Sequence, residues 1–432
     1  MFRFPRLLAG ALTLCVLASH AHAEDALQPV HRTSLLAMAV RSHPAVRASE
    51  ERAAARILEA SSEGSLPAPE VMMQIWQVPL AKPHVIGDAQ MVMFGVGQSF
   101  PAVGARAARQ RAGELEASAE RAMGTDRARQ IRRDADHAFV DYVEATARHR
   151  IHLEHRLIAT RTFELAHARH GVGGSLGDAA QSEVELARVE SDVVADATRI
   201  EAARGRINAL LRRDVLAPLG PPVETEPETA AWDVRTAVNA ARESRPELRA
   251  AVAQRGARTE EARAAAKEAA IPSFRVAALY FAPTTPMPYH GYGANASVTL
   301  PWLWGEAGDR RDARRQAAGA VASEALAARI PIDAEVVGQE ANVRAAGLRL
   351  VTLRDRALPA SRRSFEVAWA GYEAGRTDVL TLLSTRRAVV DVETEIIAAR
   401  ASLDHGLADL EAATGTELPR RKLTAEGATD GH

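Results

Sequence analysis

Cysteine is almost absent. Cys15 is the only one in 432 residues, so neither a disulfide framework nor a thiolate metal site is available. Aromatic residues are scarce as well, at 4%, although apolar residues make up 47%. An Ala-rich, Arg- and Glu-rich chain with so few large rings has the composition of long helices and coiled coils, not of a thick globular core. Net charge is nearly absent too: a formal value of -1 leaves no basic footprint and argues against nucleic acid as a partner. Enzyme patterns are missing. There is no G-x-S-x-G, no Walker lysine loop, no H-E-x-x-H and no GxGxxG between a strand and a helix, so neither an enzyme nor a cofactor is indicated. The one apolar run, Leu7 to Ala18, is too short to span a bilayer and follows Arg3 and Arg6. With Ala21-His22-Ala23 after it, residues 1–23 read as an export signal peptide, the mature chain starting at Glu24 with a net charge of about -3. Leu14 before Cys15 argues against a lipoprotein.

What is present is a long coiled-coil segment, Val379 to Leu410. Leu382, Val389, Ile396, Leu403 and Leu410 recur once per heptad, with Val379, Leu383, Val390 and Ile397 alongside, and Arg386 and Glu393 at the edge of this seam. About 200 residues earlier Leu186, Val193, Ile200, Ile207 and Leu210/Leu211 trace a second seam. The whole chain repeats at that interval. Ser42-His43-Pro44-Ala45-Val46-Arg47 is answered by Ser244-Arg245-Pro246-Glu247-Leu248-Arg249, and each is followed by helix, a Pro-bounded hairpin, a long helix, a turn and a final helix. The domains expected are a first repeat over 24–217 (hairpin about 70–100, tip about 171–178), a linker over 218–230, a second repeat over 231–415 (hairpin about 273–300, tip about 371–378) and a flexible tail over 416–432. From Ala105 to His170 there is no proline, and 66 helical residues would extend on the order of 100 Å. Pro331 and Pro359 predict that the corresponding helix of the second repeat is kinked or broken.

The hairpins alternate with period two. Val92, Phe94, Val96 and Phe100 interleave with Met93, Gly95, Gly97 and Ser99; Tyr292, Ala294, Ala296, Val298 and Leu300 interleave with Gly293, Asn295, Ser297 and Thr299. Strands of roughly nine to eleven residues are long enough to cross a membrane when tilted. Four strands cannot close a barrel, and an open edge cannot sit in hydrocarbon. Membrane strands would therefore require several chains: two give eight strands and no aqueous lumen, three give twelve. Gly95, Gly97, Ser99, Asn295, Ser297 and Thr299 would then line water, and Val92, Phe94, Val298 and Leu300 would meet lipid. The alternative is a half-buried sheet in a soluble protein. Trp302 and Trp304, after the last strand, suit a membrane interface, whereas Trp76 suits either interface or packing.

The two Ser-x-Pro-x-[Val/Leu]-Arg steps, the paired hairpins, the Tyr372-x-x-Gly375-x-x-Asp378-Val379-Leu380 tip and the closing Leu407-x-x-Leu410-x-x-x-x-Gly415 segment, in that order, resemble the TolC family of outer-membrane efflux proteins. The resemblance covers nearly all of the mature chain. It implies a mainly α fold with membrane β: a homotrimer whose long helices form a periplasmic α-barrel under a 12-stranded outer-membrane β-barrel. It also implies a passive exit duct for small molecules or metal ions. The partners implied are a periplasmic adaptor, docked at the helical tips, and an inner-membrane pump of the resistance-nodulation-division type. In the family the helix ends converge at the periplasmic entrance, which makes Asp178 and Asp378 gate candidates, with Gly171, Gly174, Tyr372 and Gly375 as tip residues. An Asp just before a helix also caps it, and the two roles are compatible. The first tip lacks an aromatic matching Tyr372.

Histidine is over-used on the first long helix. His149, His152 and His155 are three residues apart, and His167 with His170 lies beside the tip; these could share a metal ion, or could simply decorate a partly exposed face. Met72, Met73, Met91, Met93 and Met287 suit strand packing, although heavy-metal exporters belong to the family and His with Met is the usage such a cargo favours. The competing reading of another class is a periplasmic coiled-coil scaffold or adaptor with no channel, against which the two hairpins and the length of the helices weigh.

Overall fold

The computed structural model describes residues 28–78, 80–81, 89–171, 175–284 and 289–424. The signal-peptide expectation, Cys15, Gly174 and Met287 lie outside them. In chain order the elements are α1 (Arg32–Ser42), α2 (Pro44–Gly64), β1 (Glu70–Trp76), β2 (Met91–Phe100), α3 (Ala105–Gly171), α4 (Leu176–Leu210), β3 (Glu228–Ala230), α5 (Val234–Ser244), α6 (Pro246–Ala270), β4 (Ser273–Pro283), β5 (Gly291–Thr299), α7 (Glu306–Ala327), α8 (Arg329–Thr352), a π turn (Leu353–Ala357), α9 (Leu358–Glu373), α10 (Val379–Thr414) and β6 (Arg420–Lys422). Helix, hairpin, a helical stretch and a returning helix occur twice along the chain. Among the described residues no helix is long and apolar enough to cross a membrane.

The prolines act where the sequence places them. A residue before proline is pushed out of the helical region. His43 (φ -78, ψ 124) and Arg245 (φ -68, ψ 123) are accordingly extended, and they end α1 and α5 at matching steps of the repeat. The helix of the second repeat is interrupted twice. Pro331 sits in the first turn of α8, where its missing N–H costs nothing, and the break falls just before it at Ala328. Pro359 follows the π turn, which widens the helix where an i→i−4 bond cannot form.

The chain divides into two compact units, and they are not the two repeats. One unit takes Arg47–Thr125 from the first repeat and Pro246–Ile330 from the second. It holds α2, the start of α3, α6, α7 and a four-stranded antiparallel sheet in the order β1-β2-β4-β5. The two hairpins meet along β2 and β4, with Phe94 opposite Tyr280 and Phe100 stacked on Phe274 at 5.0 Å. The helices of this unit pack through small residues, Ala119 against Ala250 and Ala253, which explains the Ala-rich composition.

The other unit comprises the described residues up to Val46, Asp126–Arg245 and Pro331 onward. One core cluster gathers Leu35, Leu36, Ile131, Phe139, Tyr142 and Ile207, among others. Tyr142 is buried there, and its hydroxyl donates to the Gly220 carbonyl at 2.9 Å, which ties the linker down. The tail is not flexible throughout: β6 pairs with β3, and Leu418 and Leu423 are buried. On α10 the heptad seam is inside as read, with Leu382, Val389, Leu403 and Leu410 buried, though Ile396 is only half-buried. On α4 the seam is shifted. Leu186, Val193 and Ile200 are half-buried, Ile207 is fully buried as read, and the rest of the interior stripe is Ser182, Glu185, Val189, Asp196 and Ala203. Polar residues can hold those positions because partners meet them from facing helices. Asp196 accepts from His152 and Glu185 pairs with Arg387 at 2.5 Å.

Candidate functional site

Two places carry the features that the sequence singles out: the sheet in one unit and the turn between α9 and α10 in the other. Residues directly opposite one another in an antiparallel ladder share a face. Val71, Val96, Ala278 and Ala294 are in register across all four strands, as are Met73, Phe94, Tyr280 and Tyr292. This face is apolar, and its large members are exposed. A continuous exposed apolar face of four strands is larger than soluble chains normally tolerate, and it marks a lipid or protein contact. Among the described residues the outer edges of β1 and β5 have no strand partner.

The opposite face brings together all six lumen candidates. Gly95, Gly97 and Ser99 of β2 lie on it with Asn295, Ser297 and Thr299 of β5. Asn295, Ser297 and Thr299 are exposed and Ser99 is half-buried. Gly95 and Gly97 are buried beneath neighbouring side chains. A Cβ on Gly95 would stand 2.6 Å from Leu279 Cδ2 and 2.9 Å from Met72 Cγ, so this glycine makes room for larger neighbours. The face is polar only towards the Ser99–Ser297 end, where Arg275 pairs with Glu70 at 2.6 Å; Met93, Leu279 and Phe281 occupy the other end.

At the turn, α9 ends by placing Gly375 at φ +71, and the N–H groups of Gly375 and Arg376 return to the carbonyls of Tyr372 and Gly371 at 3.0 and 2.8 Å. This left-handed closure satisfies carbonyls the helix leaves open and favours glycine at 375. Asp378 is the N-cap of α10, its Oδ1 accepting from the Thr381 N–H at 2.9 Å, a bond that holds its carboxyl below the usual range. Asp178 is not equivalent. Ser175 caps α4, accepting from the Asp178 N–H, and Asp178 lies in the first turn, where its charge suits the helix dipole. Gly171 is exposed, with open space around it.

Tyr372 is an anchor, not a surface contact. It is buried with Ala368, Val379, Leu382 and Leu383. Arg169 of α3 lies over its ring at 4.3 Å and donates to its carbonyl at 2.9 Å. Burial raises the phenol's pKa, and the hydroxyl has no hydrogen-bond partner among the described residues. Tyr372→Phe is therefore expected to melt within about 0.5 kcal/mol of the parent or slightly above it, and Tyr372→Ala to lose about 3–5 kcal/mol, read from thermal or urea unfolding. Beside the turn, Leu176, Val184 and Leu380 are exposed, and a groove of about 400 Å³ runs between the starts of α4 and α10.

The histidines of α3 do not gather. His152 Nδ1 turns to Asp196 of α4 at 2.5 Å, while His155 Nε2 turns to Glu393 of α10 at 2.8 Å. His149 is half-buried and its Nδ1 has no partner among the described residues; His167 packs on Phe163, and His170 is exposed. Carboxylates on two different helices draw the rings apart, so His149, His152 and His155 share no metal-ready point. Arg386 and Glu393 also sit deeper than the edge of the seam. Arg386 is fully buried, donates to the His155 carbonyl, and has its pKa pushed down to about 10 by burial.

Burial of Glu393 opposes its charge, but His155 and Arg362 (2.6 Å) outweigh that and hold its carboxyl below the ordinary 4.5. The sign follows from the lowered folded value. The stabilisation is complete above about pH 4.5 and is lost as pH falls through the depressed pKa. Thermal melts from pH 6 to 3 are expected to show this acid loss, and Glu393→Gln to flatten it.

The fold, mainly helical with one four-stranded sheet, is shared with solved outer-membrane channels. The chain is similar to the outer-membrane channel OprN (TM-score 0.73, 17% identity, 96% of this chain and 98% of that one). It is also similar to the CmeC outer membrane channel of Campylobacter jejuni (0.75, 13%, 90% and 86%) and to the outer membrane protein VceC of Vibrio cholerae (0.74, 15%, 90% and 97%). Residues 237–416 match the family model described as outer membrane efflux protein. No curated protein matches the chain. The family match covers most of the second repeat, and the likeness of fold to these channels extends over nearly the whole chain.

Proposed function

We propose that this chain is the passive exit duct of a tripartite efflux or export system, located in the outer membrane with most of its length in the periplasm. The observation that carries this reading is the sheet: one exposed apolar face, and two edges that only further chains can satisfy in lipid. Three copies supply twelve strands, enough for a barrel with an aqueous lumen. Asn295, Ser297 and Thr299 then line the water with Ser99, and Phe94 and Val96 meet the lipid. Residues 1–23 direct export. The repeats over 24–217 and 231–415 supply the periplasmic helices. The α4 and α10 starts, with the groove between them, receive a periplasmic adaptor, and an inner-membrane pump of the resistance-nodulation-division type drives the cargo, a small molecule or a metal ion. The test is fractionation followed by planar-bilayer recording. A heat-modifiable trimer in the outer-membrane fraction that forms ion-conducting pores supports the duct. A soluble, non-conducting monomer would instead establish the scaffold reading.

Asp378 is the gate candidate with the better geometry, because it is exposed at the very start of α10. A ring of such carboxylates favours cations and resists opening. Asp378→Ala is expected to raise single-channel conductance or weaken cation block. Because the change also removes the cap, Asp378→Asn is the companion: it keeps an acceptor for Thr381 and removes only the charge. Unchanged conductance in both would remove the gate assignment.

A further inference from the structure

Far from the turn, α3 and α10 bring together a cluster that the duct does not use. His137 and Asp141 are four residues apart on α3, and His405 and Asp409 are four apart on α10. The helices run in opposite directions, so the pairs cross. His137 Nε2 stands 3.1 Å from Asp409 Oδ1, and His405 Nε2 stands 3.1 Å from Asp141 Oδ1. The two imidazoles meet edge to face with ring centroids 4.4 Å apart. Each helix thus offers one nitrogen and one carboxylate on a single face, the i, i+4 spacing by which a helix presents two ligands to one ion.

We propose that His137, Asp141, His405 and Asp409 form a binding site for a divalent transition-metal ion of the zinc type, which staples the first-repeat helix α3 to the second-repeat helix α10. Two imidazoles and two carboxylates are a borderline donor set. It suits zinc, cobalt or nickel better than soft monovalent copper, and better than calcium, which takes oxygen alone. Ligands about 2.0–2.1 Å from a tetrahedral ion lie about 3.3 Å from one another, and both crossed pairs already stand near that edge length. The proposal requires the side chains to turn so that the ion itself assembles the site. As they stand, each imidazole faces the opposite carboxylate and no three donors converge on one point. The four side chains are each a quarter to a third exposed, so an ion can reach them from solution. Arg133 approaches Asp409 (3.9 Å) and Arg206 contacts Asp141, in the position of outer partners that orient ligating carboxylates. Their charge also predicts weaker binding than a Cys-and-His structural site.

The inference is independent of the efflux reading, since a scaffold protein would carry the same staple. The test uses the full-length protein without a polyhistidine tag, extracted in detergent and stripped with chelator. It is titrated with Zn²⁺ by calorimetry and with Co²⁺ by visible absorption. Expected are one ion per chain, cobalt bands of a mixed nitrogen and oxygen site, and a rise in melting temperature with Zn²⁺. His405→Gln and His137→Gln should each weaken binding by at least the 10–100-fold that even outer-partner changes cost, and should cancel the thermal shift. The near-isosteric Asp141→Asn serves if a histidine variant fails to fold, with the same loss expected. No saturable binding, or binding undiminished in every variant that folds, would overturn the proposal and leave two close histidine–carboxylate pairs.

Discussion

Phe94→Arg is expected to remove the protein from the outer membrane. Phe94 lies in the middle of β2 on the exposed apolar face, with Met73 opposite it on β1 and Tyr280 opposite it on β4. A charged side chain on the lipid face of a membrane barrel costs about 2–4 kcal/mol near the midplane, and in a trimer the cost is incurred three times. Little of a typical stability of about 5–15 kcal/mol would then remain. The measurement is the amount of heat-resistant trimer in the outer-membrane fraction. Asn295→Lys is the matched control. It lies on the other face of the same sheet and is expected to insert normally while shifting ion selectivity towards anions. If the two variants insert equally well, the face assignment is wrong.

The second large effect is expected at Asp196→Ala. Asp196 is fully buried on α4 and accepts from His152 Nδ1 at 2.5 Å and Arg199 Nη1 at 2.6 Å, with Arg148 at 3.9 Å. Removing Asp196 strands the buried His152, while Arg199 and Arg148 keep access to water, and breaking such a buried pair costs about 3–5 kcal/mol. Replacing both buried partners with apolar residues of similar volume is often neutral or better. Asp196→Leu with His152→Leu should therefore recover much of what Asp196→Ala loses, as read by the melting temperature of helical circular dichroism. A loss below about 0.5 kcal/mol in the single variant would mean that water reaches the pair.

These residues also divide what was legible in the sequence from what was not. The hairpins were legible because alternation is local: Val92 to Phe100 fixes its two faces whatever lies beside it. The helix ends were legible for the same reason, since Pro44, Pro246, Gly375 and Asp378 act on their own backbone. The α4 seam was not. Hydrophobicity alone put Leu186, Val193 and Ile200 inside, yet Asp196 and Glu185 hold the interior because His152 and Arg387 meet them from distant parts of the chain. Nor was the cover over Gly95 and Gly97 legible, since it comes from Met72, Leu279 and Arg275 across the ladder. His149, His152 and His155 looked like one cluster by spacing, and only the facing helices show that their rings diverge. The crossing of His137 with His405 spans 268 residues and leaves no local trace.

The interleaving of the repeats constrains how the protein can be made. One compact unit is assembled from 47–125 and 246–330, so no contiguous piece of the chain corresponds to it alone. Phe94 cannot meet Tyr280 until nearly two hundred further residues have been synthesised, and pairings that distant form slowly. Until then the β1–β2 hairpin has an unpaired edge and an apolar side with nothing to cover it, the combination most prone to aggregate. Cutting the gene at the linker would yield two halves that each lack half of a sheet. Exposure to aggregation before β4 arrives is thus built into the order of the elements along the chain.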